Sequence, residues 1–245
     1  MTNSLRAAIK KMLKKTLKAS GLSFADRSNY KKTWDLLANN YANAKMFVAG
    51  YEDEAQFELT ANHTVDILDQ YVGIKPSDVV LEIGCGVGRV GKVLSGRVSR
   101  WIGADISGNM LAYAAQRLKG NSNIELLELT TSGLREIPSN SVDLAYCTVV
   151  FMHLLEWDRY RYVEDSFRVL KSGGRCFFDN VDIISDHGWE VFSAGYSIDV
   201  ERRPSQLSMT SSGDELRTYA EKAGFRNVRI HRWDNAWVGV TGVKP

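Results

Sequence analysis

No stretch of this 245-residue chain is apolar for long enough to cross a bilayer, and its first residues lack the apolar run and small-residue cleavage site of a secretory signal. A cytoplasmic protein is expected. Only three cysteines occur, Cys85, Cys147 and Cys176, each in or beside an apolar run and without paired spacing. That arrangement argues against a disulfide framework and against a zinc site, so reduced, buried thiols and no metal are expected. There is no internal repeat and no low-complexity stretch. With 44% apolar residues, the chain can bury one main core.

Net charge is also scarce, but its distribution is uneven. The total is +2, yet residues 1–33 carry nine Lys or Arg against one acid, leaving 22 basic and 28 acidic residues for the rest. The positive charge is therefore a tail on an acidic body. Within residues 5–18, Leu5, Ile9, Met12, Leu13 and Leu17 fall at helical spacing, with Lys10, Lys11, Lys14, Lys15 and Lys18 largely on the other side. A basic amphipathic helix over 1–28 follows. It suits an anionic membrane surface or an acidic partner, and equally a solvated helix resting on the body.

Beyond the tail, apolar and aromatic residues at helical intervals predict helices over 29–47 and 53–72, a helical cover spanning 29–75. From Val79 onward, short apolar runs alternate with helical stretches, and 79–83, 100–105, 124–129, 143–150 and 175–181 read as strands. Runs such as "VVLEI", "DLAYCTVV" and "RCFFDNV" are nearly continuous in apolar residues, which fits parallel strands covered on both faces. The expected fold is α/β, a doubly wound, mostly parallel seven-stranded sheet preceded by helices, with its core over 76–181. Segment 182–209 has no clean period and reads as a lid-like insertion. In 210–245, Ser212 and Glu215 sit at capping-box spacing, Gly224 stops a helix, and two alternating runs flank the turn "DN" as an antiparallel hairpin.

"VLEIGCGVGRVG" places Gly84, Gly86 and Gly88 between a strand and a helix. Bare backbone there lets a ligand approach without a Cβ in the way, and the helix start offers free amides. Counted from Gly86, the run also satisfies G-x-G-x-x-G through Gly91, so spacing leaves a dinucleotide open. Glu82 tilts the balance. An acid just before the turn sits poorly beside a pyrophosphate and well beside a cationic sulfonium or amine.

These residues resemble the first motif of the class I, Rossmann-like S-adenosylmethionine-dependent methyltransferases. Four later stretches are similar to that family's motifs in order: "WIGADIS", "SVDLAYCTVVFMHL", "VLKSGGRCFF" and "ELRTYAEKAGFRNVRI". The resemblance covers about residues 57–243 and implies S-adenosylmethionine as cofactor, held by Glu82, Gly84, Cys85, Gly86 and Gly88. It further implies that Asp105, 17 residues past Gly88 at a strand end, accepts the ribose hydroxyls, with Ile106 and Met110 against adenine. The family commonly has a carboxylate after the third strand; here Thr130 and Thr131 stand instead, and a hydroxyl or backbone contact is expected to replace it.

Methyl transfer from a sulfonium is an in-line displacement, so the protein chiefly aligns the reactants in a water-poor pocket. A hydroxyl acceptor also needs a base. His153, just past the fourth strand in "VFMHL", is the first candidate and His187 in the insertion the second; His63 and His231 read as structural. Trp189, Phe192 and Tyr196 could close over an acceptor, with Trp34 and Tyr41 on the other side, and Arg202 and Arg203 could meet an anionic one. Ordinary packing and exposed charge are the competing readings of these residues. The expected activity is methyl transfer to O or N of a small-molecule acceptor, a glycan or lipid-associated precursor if the basic helix touches membrane. An RNA or protein methyltransferase anchored by the tail, an NAD-linked oxidoreductase and a non-catalytic binding module stay open, although the acidic body and lack of a basic aromatic platform make nucleic acid a poor partner.

Overall fold

The computed structural model describes residues 27–245; the basic helix expected within residues 5–18 lies outside them. Three helices come first: α1 (Tyr30–Leu37), α2 (Tyr41–Ala49) and α3 (Glu54–Tyr71). The single helix expected over 29–47 is two, because Asn40 turns the chain and its side chain accepts the Asn43 amide at 2.9 Å as a new N-cap.

The alternating region follows as β1 (Val79–Ile83), α4 (Arg89–Leu94), β2 (Arg100–Asp105), α5 (Gly108–Arg117), β3 (Ile124–Glu128), β4 (Val142–Cys147), α6 (Glu156–Val169) and β5 (Leu170–Val181). Helix α7 (Asp186–Tyr196) occupies the insertion, then come α8 (Gly213–Ala223), β6 (Arg226–Trp233) and β7 (Trp237–Val243). The seven strands form one sheet in the order β3-β2-β1-β4-β5-β7-β6, parallel except that β7 runs antiparallel to both β5 and β6. The hairpin turn holds Asp234 and Asn235 at φ 55° and 48°, left-handed conformations that Asp and Asn tolerate.

Strand residues feed two cores alternately. Leu81, Ile83, Ala145 and Phe178 face one with Tyr162 and Leu216, while Val80, Leu144, Tyr146 and Phe177 face the other with Leu68, Leu94 and Trp101. Each fully buried side chain of this size is worth about 1.5–3 kcal/mol, and a sheet covered on both faces collects that gain twice. All three cysteines are buried and free.

One boundary that matters for the site differs from expectation. β4 stops at Cys147 instead of continuing to Val150, because Val149 stands at φ 62°, which no strand accommodates. Strand order reverses between β1 and β4, so the loops leaving these two strands meet at the crevice where open α/β sheets bind ligands.

Candidate active site

The loop after β1 is shaped by close approach. Gly84 and Gly86 hold φ 73° and 54°; a Cβ on Gly84 would lie 2.4 Å from Val150, and one on Gly86 would lie 2.7 Å from Val48. Any side chain would therefore fill the narrow cleft that these glycines line together with Glu82, Cys85, Asp105, Ile106 and Met110. This cradle fits a ligand that runs along bare main chain. Gly88 serves differently: it caps α4 and faces Leu118 and Ala114, so it packs helix on helix and does not line the cleft.

Asp105 ends β2 inside the cleft. Its Oδ2 accepts the Gly86 amide at 2.8 Å and its Oδ1 the Ser107 amide at 2.9 Å, which ties the glycine loop to the next strand. Burial pushes its carboxyl up to about 6, against the pull of those amides. Ser107, not Asp105, caps α5, accepting the Met110 amide at 3.2 Å, so the carboxylate keeps lone pairs for a ligand. Glu82 is buried and accepts the Tyr146 hydroxyl at 2.5 Å; burial lifts it to about 7.

Thr130 and Thr131 do not reach the cleft. Both are exposed, and the Thr130 amide and hydroxyl are both taken by Glu136, at 3.0 and 2.5 Å. Leu129 lines the cleft in their place, so an apolar contact replaces the polar one expected after β3.

A second cavity of about 340 Å³ adjoins the cleft and shares Phe47, Val48, Arg89, Thr148, Val149 and His153 with it. Its walls are mostly apolar, from α2, α3 and the segment after β4, and a few buried polar groups break them. His153 is one. Its Nδ1 donates to the Gln206 carbonyl at 3.0 Å and Trp34 packs edge-on at 4.8 Å between ring centres. Burial drives the imidazole down to about 3, so it is neutral and leaves Nε2 as the acceptor nitrogen. His187 of α7 also lines this cavity; it is buried, its Nδ1 makes no hydrogen bond, and burial lowers its basicity too. His63 sits at the rim with Nε2 2.8 Å from Asp234, and His231 stacks on Tyr71 at 4.4 Å away from both cavities.

Two residues that sequence reasoning passed over complete the site. Asp179 of β5 is buried in the second cavity, accepts the Val149 amide at 2.8 Å, and is pushed up to about 7 by burial. A lone acid inside the apolar run "RCFFDNV" was the available signal. Arg89, first residue of α4, is buried where cleft and cavity meet; its Nη1 donates to Thr60 and Thr64, each at 3.2 Å, and its Nε has no protein partner. Its charge pulls both Glu82 and Asp179 downward against desolvation. The expected covers Trp189, Phe192 and Tyr196 instead point to solvent, and neither Arg202 nor Arg203 lines either cavity. Trp34 does line the cleft, whereas Tyr41 packs on Tyr113 and accepts from Arg117 outside it.

Residues 81–178 match a family model described as a methyltransferase domain. The chain is 29% identical over 158 residues to phosphoethanolamine N-methyltransferase 1 of Triticum aestivum, covering 64% of this chain but only 29% of that protein. It is 26% identical over 187 residues to the chloroplastic 2-phytyl-1,4-beta-naphthoquinone methyltransferase of Arabidopsis thaliana, covering 68% of this chain and 71% of that one. Among solved structures it resembles a SAM-dependent methyltransferase from Thermotoga maritima, with a TM-score of 0.61 at 22% identity over 82% of this chain and 97% of the other. Residues 81–178 thus match a methyltransferase domain, and the seven-stranded sheet around them, with its glycine cradle and β2 carboxylate at the strand-order reversal, has the fold of solved SAM-dependent methyltransferases.

Proposed function

We propose that the chain transfers a methyl group from S-adenosylmethionine to an oxygen or nitrogen of a small molecule with an apolar body, seated in the second cavity. The observation that carries this reading is the cavity itself: about 340 Å³, largely apolar, and joined to the cofactor cleft through Val149, Arg89 and His153. Bound S-adenosylmethionine supplies an electrophilic methyl on a sulfonium. The glycine cradle and Asp105 fit its amino-acid and ribose parts, while Ile106, Met110 and Leu129 offer apolar contact to adenine. Buried Glu82 and Asp105 provide negative potential toward a cation.

Proton affinity favours Asp179 over His153 as the base. A catalytic base works best when its pKa lies near the operating pH. His153 at about 3 holds a proton poorly, whereas Asp179 at about 7 is matched to the task. We therefore assign proton removal from a hydroxyl acceptor to Asp179, and to His153 Nε2 the hydrogen bond that orients the acceptor. His187 faces the far end of the acceptor. The apolar walls exclude water, which would otherwise compete for the base and screen the sulfonium.

The naphthoquinone relative, whose named substrate carries a long apolar chain, agrees with an apolar cavity better than the phosphoethanolamine relative does. The test is incubation of the full chain and S-adenosylmethionine with matched panels of apolar phenols, apolar amines and small phosphorylated amines, read by mass for gain of one methyl. Methylation confined to the apolar panels is the expected result; turnover of phosphorylated amines alone would overturn the acceptor class.

A further inference from the structure

Helix α7 has two opposed faces. On one, His187 and Val191 line the second cavity and Gly195 lies against Leu207. On the other, Trp189, Phe192 and Tyr196 are spaced by one helical turn and stand 59%, 44% and 76% exposed, with the first two rings stacked at 5.2 Å. Ile184 before the helix and Val200 after it are also exposed, at 69% and 66%. Isolated exposed apolar side chains are ordinary, but five large ones gathered on one short segment mark a surface that meets something other than water.

The charge needed to choose the partner lies in the chain that joins here. Arg27 donates to the Ser205 carbonyl at 3.2 Å and to the Met152 carbonyl at 3.0 Å, so residues 1–26 connect beside the segment that follows α7. Those residues hold six Lys or Arg against one acid. Around the patch itself Asp186, Glu190, Asp199 and Glu201 outweigh Arg202 and Arg203, so the local surface has no excess of positive charge.

We propose that the outer face of α7 docks on an anionic lipid bilayer, its aromatic side chains entering the headgroup region while residues 1–26 supply the attraction to anionic lipid. Trp and Tyr favour that interface because an apolar ring and a polar tip are both satisfied there. One signal alone gives weak, reversible attachment, and the two act together. Docking in this orientation sets the cavity wall formed by the inner face of α7 next to lipid.

The proposal is read by partitioning and not by turnover, so it stands or falls apart from the acceptor assignment. The full chain is sedimented with phosphatidylglycerol/phosphatidylcholine vesicles and with pure phosphatidylcholine vesicles, alongside a Trp189→Ser, Phe192→Ser, Tyr196→Ser variant and a variant with Lys10, Lys11, Lys14, Lys15 and Lys18 changed to Gln. The wild-type chain should bind anionic vesicles, and each variant should bind about tenfold or more weakly while keeping the wild-type melting temperature and S-adenosylhomocysteine affinity. Undiminished binding by the aromatic variant, or no wild-type binding to anionic vesicles, overturns it. So does a wild-type dimer that the aromatic changes dissociate without any vesicle binding, which would give the face to a second copy.

Discussion

The Asp179 carboxylate accepts the Val149 amide at 2.8 Å, and Val149 sits at φ 62°, a conformation that a β-branched residue adopts only under constraint. One buried acid thus fixes the turn that ends β4 and brings Val149 and Val150 against the cofactor cleft. Strain and a desolvated buried carboxyl both cost stability, and both are placed at the meeting of the two cavities.

Asp179→Asn should separate function from stability. Asn keeps an acceptor for the Val149 amide but cannot take a proton, so turnover should fall by about 10²–10⁴-fold with S-adenosylmethionine affinity retained. The stability effect has the opposite sign. A carboxyl raised from an ordinary value of 3.8 to about 7 in the fold penalises the native state increasingly as pH rises from about 4 to 7, and fully above that. The variant should therefore melt higher than wild type at pH 8, with the gap closing by pH 4. The shift alone bounds the gain at about 4 kcal/mol. Thermal melts at the two pH values check it.

The pH profile of turnover on a hydroxyl acceptor distinguishes the two base candidates. With Asp179 as base, kcat should rise through an acid limb near 7 and level above it. A His153 base would put that limb near 3, below any practical assay. His153→Gln should leave the limb in place and raise KM for the acceptor.

Arg89→Met should move the same limb. The Arg89 guanidinium draws Asp179 downward, so an apolar side chain of similar length should shift the limb to higher pH. A limb that stays in place would show that Arg89 has no electrostatic hold on the base.

Val149→Gly should relieve the left-handed turn, adding about 1 kcal/mol of stability, less whatever its partly buried side chain contributes to the cavity wall. Turnover should fall, since the wall shared by both cavities loses its side chain. Urea unfolding and steady-state kinetics on one preparation read both effects.

The sheet and its ligand crevice were legible because strand and helix periods alternate cleanly from Val79, and because the glycine run follows an acid-ended strand. Glu82, Gly84, Cys85, Gly86, Asp105, Ile106 and Met110, which the family resemblance put beside the cofactor, line one cleft. What sequence could not supply was set by distant contacts. Val149 and Val150 are good strand formers, yet β4 ends before them and the Val149 amide turns to the Asp179 carboxylate of β5. Helical spacing put Trp189, Phe192 and Tyr196 on one face of α7, but spacing does not say which face meets the body; Gly195 against Leu207 settles that from the other side. Thr130 was aligned with a ligand contact by position, whereas Glu136 six residues on claims both its polar groups.

Calorimetric titration with S-adenosylhomocysteine, run on wild type and on Gly84→Ala, tests the central claim most directly. An added methyl at Gly84 would lie 2.4 Å from Val150 in a left-handed turn, within the cleft, and neither residue lines the acceptor cavity. The account predicts saturable one-to-one binding to wild type, weakened at least about tenfold by the alanine. Absence of saturable binding by the folded wild-type chain, or equal affinity for both proteins, would contradict it.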